Sequence, residues 1–283
     1  MRLPDWIKTP YRSGIHDTKH LLRRHALSTV CEDARCPNRG ECFSKPTAAF
    51  LILGPYCSRN CGFCSVTSGM PVPVIPREPE QVAEAAAEMN LRYVVITSVT
   101  RDDLPDGGAA QFAQTIRAVK KRLPEARVEV LTPDFNGDIN ALRNVLDAEP
   151  DVFNHNVETI ERLYPAVRQQ ADYRQSLSVL RSAKELSPAI AVKSGFMLGL
   201  GESMDEVVKV LADLRQSRCD LLTIGQYLRP TKKNLPVVKY ILPKAFEELK
   251  ETALSMGFRY VASGPLVRSS MNAEEMFNRQ LNT

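Results

Sequence analysis

Cys57-Ser58-Arg59-Asn60-Cys61-Gly62-Phe63-Cys64 follows the apolar run Ala48-Ala49-Phe50-Leu51-Ile52-Leu53-Gly54. The run reads as a buried strand, and the stretch after it places three thiols at the spacing C-x3-C-x2-C on the loop that the strand feeds. Thiolates are soft ligands that favour zinc or an iron–sulfur cluster. Structural zinc closes its shell with four Cys or His ligands, and no fourth stands near this loop. A cubane held by three thiolates keeps one iron open to a substrate or cofactor, which is a catalytic arrangement. Gly62 allows close backbone approach, and Phe63 can exclude water.

A chain of 283 residues, 43% hydrophobic, can bury a full core as one large domain or two small ones, which excludes disorder. It has no run of 18 apolar residues, and Met1-Arg2-Leu3-Pro4-Asp5-Trp6 lacks a signal-peptide core, so no membrane association and a cytoplasmic location are expected. Six of the seven cysteines fall between positions 31 and 64. A disulfide knot there would staple a domain that needs none, so metal ligation explains the clustering better. Net charge is +4. Arg2, Lys8, Arg12, Lys19, Arg23 and Arg24 against Asp5 and Asp17 account for that excess, in a basic arm that can steer an acidic partner or be a solvated face. The balance is too mild for nucleic acid.

A second triplet, C-x4-C-x5-C, lies upstream at Cys31, Cys36 and Cys42, in a loop marked by Pro37, Asn38 and Gly40. A short helix over 17–27 precedes it, anchored by Leu21 and Leu22. Downstream, six strands are expected at 48–53, 93–98, 128–131, 152–156, 192–198 and 221–226. Amphipathic helices lie between them, anchored by Val82, Ala85, Ala86 and Met89, by Phe112, Ile116, Val119 and Leu123, and by Val207, Val210, Leu211 and Leu214. Ser203 and Glu206 form a capping-box start. The alternation predicts an α/β fold with a parallel sheet, a partial barrel or an open doubly wound sheet, with its chemistry at the strands' C-terminal ends. Polar residues gather at those ends: Thr97, Ser98, Arg101, Asn156, Glu158 and Glu202. His155 reads as a structural histidine and Cys219 as a small core residue.

The C-x3-C-x2-C loop resembles the signature of the radical S-adenosylmethionine (SAM) superfamily, and the whole chain resembles the lipoyl synthase family within it. The resemblance is carried by the paired triplets and by Arg101–Gly108, Thr132–Phe135, Asn154–Thr159, Lys193–Glu202 and Gly264–Ser270. It implies a partial (β/α)6 parallel barrel over 48–256, with an N-terminal arm and cluster loop over 1–47 and a closing segment over 257–283. It also implies two [4Fe–4S] clusters and SAM as cofactors. Cys57, Cys61 and Cys64 would hold the cluster that cleaves SAM. Cys31, Cys36, Cys42 and Ser270 would hold an auxiliary cluster, which is consumed as the sulfur source. Thr97, Ser98, Asn156, Glu158, Lys193, Gly199 and Glu202 would contact SAM. Sulfur insertion at C6 and C8 of an octanoyl chain breaks unactivated C–H bonds, which needs a radical and no side-chain base.

Implied partners are octanoylated lipoyl carrier domains (2-oxoacid dehydrogenase E2 or glycine cleavage H protein), an electron donor such as flavodoxin or ferredoxin, and an iron–sulfur carrier for cluster repair. Met271-Asn272 stands where the family usually continues with tyrosine. Rival readings are another radical SAM sulfur-inserting or methylthio-transfer enzyme, a two-cluster electron carrier, and a zinc-stabilised binding module.

Overall fold

A computed structural model describes residues 3–7, 15–44, 49–271 and 273–280. Arg2, Lys8 and Arg12 of the basic arm, Ala48 of the first expected strand and Asn272 lie outside the described residues. The chain folds into two compact units, one of residues 9–59 and 65–153, the other of residues 1–8, 60–64 and 154–283.

In the first unit, α1 (Ile15–Arg24) leads into the short β1 (Ser28–Thr29), α2 (Val30–Asp33) and α3 (Arg39–Ser44). Leu22 is buried, and the Thr18 hydroxyl donates to the Phe43 carbonyl at 3.0 Å, so the arm is tied back to α3. β2 (Ala49–Ile52) follows, then α4 (Glu78–Glu88), β3 (Tyr93–Ser98), α5 (Ala109–Arg122), β4 (Arg127–Leu131) and α6 (Ile139–Leu146). β1 runs antiparallel to β2, and β2, β3 and β4 are parallel in chain order. The register pairs Phe50 with Ile96 and Ile96 with Val130, all buried in the unit's core. Parallel strands need long crossovers, and the helical apolar periods supply them: Val82, Ala85, Ala86, Phe112, Ile116 and Val119 are fully buried.

The chain passes to the second unit in β5 (Val152–Asn154). This strand ends two residues before its expected limit, because from His155 the backbone turns to pair locally with β6. There follow α7 (Tyr164–Val167), α8 (Tyr173–Leu186), β6 (Ala191–Leu198), α9 (Met204–Gln216), β7 (Leu221–Gln226), α10 (Pro243–Ser255), β8 (Tyr260–Gly264) and α11 (Ala273–Gln280). β6, β7 and β8 are parallel in chain order. β1 and β8 were not legible in the sequence. β1 has two residues, and β8 is half-buried without a clear alternating pattern. Cys219 is fully buried in this core, as expected.

The capping box at α9 is present. Ser203 Oγ accepts from the Glu206 amide at 3.3 Å, and Glu206 returns a bond to the Ser203 amide at 2.9 Å. Ser203→Ala removes one half of that exchange. It is expected to lower the unfolding free energy by about 0.5–2 kcal/mol, read as a lower denaturant midpoint with unchanged slope.

Candidate functional site

β2 ends in a strained turn. Leu53 has φ of 71° and Gly54 of 94°. Left-handed backbone at leucine costs energy, and two side chains hold it. Both Glu78 carboxylate oxygens accept from the Leu53 amide, at 3.1 and 3.0 Å, and the Arg101 guanidinium donates to the Leu53 carbonyl at 3.0 Å. Gly108 has φ of 91°, and a Cβ there would stand 2.3 Å from Leu53 Cδ1. Asp106 accepts from the Gly108 and Ala110 amides, which opens α5. Arg101–Gly108 is therefore the brace that turns the chain from β2 into the cysteine loop.

Within that loop the Cys57 amide donates to the Thr67 carbonyl at 2.9 Å, and the Thr100 amide donates to Cys57 Sγ at 3.3 Å. Arg59 fills the centre of C-x3-C and is only 5% exposed. Its guanidinium makes paired bonds to Asp102 (2.9 and 2.8 Å) and to Asp134 (2.8 and 2.8 Å), and a further one to Asn136 Oδ1 (2.8 Å). Ser58 Oγ donates to the same Asp102 at 2.9 Å. Burial would lower the Arg59 guanidinium, but the two carboxylates outweigh it and fix the charge. Burial likewise works to raise the Asp102 carboxyl, and Arg59, Ser58 and Asn136 leave it below the usual range. Sequence reading passed over Arg59; its one signal was a cation between two ligand-type cysteines.

The second half of the loop belongs to the other unit. Its Gly62 amide donates to the Val167 carbonyl at 2.9 Å, and its Gly62 carbonyl accepts from the Leu235 amide at 3.0 Å. A Cβ at Gly62 would lie 2.8 Å from the Ala166 carbonyl oxygen, so the close approach inferred for this glycine is real. The Asn234 side chain donates to the Cys64 carbonyl at 2.7 Å. Phe63 packs against Val167, Leu200 and Tyr227. Burial would lower the neighbouring Arg168 guanidinium; Tyr164, Glu158 and Cys61 pull it the other way and keep it charged.

Cys31 is buried, while Cys36 and Cys42 are half-buried, and all seven cysteines are free thiols. Burial pushes the Cys31 thiol up to about 12, with Cys36 adding to the shift. Iron reverses such a shift, because a coordinated thiol is deprotonated outright. Ser65 Oγ donates to the Asp33 carbonyl at 2.7 Å, tying this helical turn to the chain just past Cys64. Among the described residues no three His, Cys, Asp or Glu side chains form a site for a single metal ion. An all-thiol donor set with an amide aimed at Cys57 Sγ fits iron–sulfur ligation.

The remaining expected residues fall in both units. Thr97 Oγ1 donates to the Leu131 carbonyl at 2.9 Å, and Ser98 Oγ is buried with no hydrogen-bond partner among the described residues, a polar atom available to a ligand. In the other unit Glu158 has φ of 64°, and its backbone bridges to β6 by bonds to Gly195 and Met197. Burial raises its carboxyl against the pull of Arg168 and an Asn156 bond of 3.1 Å. Gly195 faces Thr223, where a Cβ would clash at 2.2 Å, and Gly199 faces Gln226. Glu202 closes the following turn by accepting from the Gly199 (2.5 Å) and Leu200 (2.9 Å) amides. Lys193 is fully buried and donates to the Ser269 carbonyl at 2.7 Å. Asn154 donates to Ser269 Oγ at 2.8 Å, and that hydroxyl reaches Asn156 Oδ1 at 3.2 Å. Ser270 sits half-buried in the turn so held.

The radical SAM superfamily model matches residues 51–214. Curated proteins named lipoyl synthase match nearly end to end. The one from Rubrobacter xylanophilus is 55% identical over 96% of this chain and 85% of its own length. The one from Caldicellulosiruptor bescii is 54% identical over 97% of this chain and 95% of its own. The chain belongs to the lipoyl synthase family. It is accordingly a radical SAM sulfurtransferase of lipoate biosynthesis that uses SAM and [4Fe–4S] clusters, two in this family. Among solved structures, methylornithine synthase aligns with a TM-score of 0.55 at 17% identity, over 89% of this chain and 82% of that one. The hydrogenase maturase HydG aligns at 0.57 and 14%, over 94% and 74%. These likenesses carry the α/β radical SAM fold alone. No described helix is long and apolar enough to cross a membrane.

Asp134 is fully buried beneath Arg59. Asp134→Asn leaves that cation half-neutralised and is expected to cost about 3–5 kcal/mol in thermal or denaturant unfolding of the protein. The Asp102 carboxylate, with its folded pKa depressed, stabilises above the ordinary aspartate range. Its contribution is present at neutral pH and is lost as pH falls through the depressed value, so Asp102→Asn should flatten the acid limb of the stability–pH curve.

Proposed function

We propose that Cys57, Cys61 and Cys64 bind the [4Fe–4S] cluster that cleaves SAM, and that Cys31, Cys36, Cys42 and Ser270 bind the auxiliary one. The observation that supports this most directly is the pair of thiol triplets in a chain of this family, all six sulfurs free. The substrate is an octanoyl group on a lysine of a lipoyl carrier domain, either a 2-oxoacid dehydrogenase E2 or the glycine cleavage H protein, and sulfur enters at C6 and C8. When bound, SAM and its cluster supply the hydrogen-abstracting radical, and the auxiliary cluster supplies sulfide. The supporting cast includes an electron donor such as flavodoxin or ferredoxin and an iron–sulfur carrier that restores the consumed cluster. The reaction takes place in the cytoplasm.

The chain's own residues have separable tasks. Arg59, with Asp102 and Asp134, fixes the loop that carries Cys57 before any iron arrives. Phe63, against Leu200 and Tyr227, keeps water from the loop that carries Cys61 and Cys64. Thr97, Ser98, Asn156, Glu158, Gly199 and Glu202 are assigned to SAM, the last two through the turn they close. Lys193 is assigned to SAM with them, and its bond to the Ser269 carbonyl ties it to the C-terminal turn that carries Ser270.

Anaerobic turnover of an octanoyl-lysine peptide with SAM and reductant, followed by mass spectrometry, tests the assignment. Cys31→Ala, Cys36→Ala or Cys42→Ala should retain SAM cleavage and lose sulfur insertion, with iron per chain falling by half. Cys57→Ala, Cys61→Ala or Cys64→Ala should abolish both. Thiolated product from a first-triplet variant would defeat the proposal.

A further inference from the structure

Between Leu221 and Phe246 the chain carries Arg229, Lys232, Lys233, Lys239 and Lys244 and no Asp or Glu. Elsewhere its charges are mixed, with 37 basic and 33 acidic residues overall. This segment is also bonded directly to the cysteine loop of its own unit. Asn234 donates to the Cys64 carbonyl and the Leu235 amide to the Gly62 carbonyl, while the Tyr227 hydroxyl donates to the Leu235 carbonyl at 2.8 Å. Arg229 is used internally, donating to the Asn234 carbonyl at 2.8 Å and so stiffening the turn that presents Lys232 and Lys233. Further along, the Val238 and Lys239 amides reach the Gly199 carbonyl, and Gln226 accepts from the Ile241 amide at 2.8 Å. The backbone is thus pinned along its length. Its side chains are not: Lys232, Lys233 and Lys239 are exposed, as are Val238 at 57% and Leu242 at 59%.

Exposed apolar groups with a cationic rim, on a rigid segment, describe an interface for a negatively charged protein. We propose that residues 232–242 are the docking surface for an acidic one-electron carrier protein that reduces the cluster on Cys57, Cys61 and Cys64. The proposal rests on the cluster assignment above. Reductive SAM cleavage needs an electron from outside the chain, and the segment is hydrogen-bonded to the backbone of two of the residues that flank or supply that cluster's thiolates. A donor seated here is brought to the cysteine loop itself. Electron-transfer encounters are small and steered by charge, which suits a short basic surface better than a broad apolar one. The electron passes from the reduced carrier to the oxidised cluster, one for each SAM cleaved, and the carrier leaves oxidised by one electron.

The test uses the full-length reconstituted enzyme and a Lys232→Glu/Lys233→Glu/Lys239→Glu variant. SAM cleavage is driven in parallel by reduced flavodoxin, an acidic carrier, and by dithionite. The flavodoxin-driven rate of the variant should fall about tenfold or more at low ionic strength, while its dithionite-driven rate stays at the wild-type value. The wild-type flavodoxin rate should decline as salt rises from about 0.05 to 0.5 M, and the variant should lose that dependence. An unchanged flavodoxin rate overturns the proposal, as does an equal loss with dithionite. A defect confined to KM for an octanoylated carrier domain also overturns it and gives the surface to the substrate protein. Calorimetric titration of oxidised flavodoxin into both proteins reads docking without SAM chemistry. Failure of wild type to cleave SAM with dithionite would strike the cluster assignment instead, and binding lost in the variant would still support the surface.

Discussion

A buried guanidinium between two carboxylates is the constraint on which the cysteine loop of the first unit depends. A thiol-bearing loop has no strand or helix ladder to hold it, so the backbone that carries Cys57 must be fixed by something else. Arg59 does this by making bidentate bonds to Asp102, beyond β3, and to Asp134, beyond β4. The desolvation of the buried Arg59 and Asp134 is offset because all three guanidinium nitrogens donate to carboxylates. Such a clamp adds little net stability compared with apolar packing, but removing one arm leaves an uncompensated charge. Its value is a single loop conformation.

The same logic recurs one turn earlier and at the other end of the chain. Leu53 is held in left-handed backbone by Glu78 from α4 and Arg101 beyond β3, while Gly108 gives its side chain room. Ser269 is held by Lys193 from β6, by Asn154 at the end of β5 and by Asn156 beyond it. In each case a loop is fixed by charged or amide side chains from elements far away in sequence. Parallel pairing within each unit makes this possible, because it brings segments far apart in sequence side by side. In each unit the helices and strands bury the apolar surface, while polar side chains fix the loops.

Much of this was readable beforehand. Strands over 93–98 and 221–226, the apolar faces of α4, α5 and α9, the capping box and the burial of Cys219 follow from periodicity and local chemistry. β1 and β8 were missed because they are too short or too half-exposed to show a pattern. What Lys193 bonds to was not legible either, since nothing local marks a lysine that donates to a carbonyl 76 residues away. The acid-free segment at 221–246 shows only its charge in the sequence, and what its backbone touches is set by the fold.

By itself the sequence determined the chemistry. Thiol spacing points to a soft-ligand centre, zinc or an iron–sulfur cluster, because softness is a property of the side chains; the family resemblance narrows it to a cluster, and the alternation of periods selects the parallel α/β class. Only the tertiary structure decided which residues hold those thiols in place. Arg59 meets Asp134 across 75 positions, and Asn234 meets Cys64 across 170. Hydrogen bonds between charged or amide groups act over about 3 Å, so their partners are set by the packing of strand ends and leave no periodic trace along the chain.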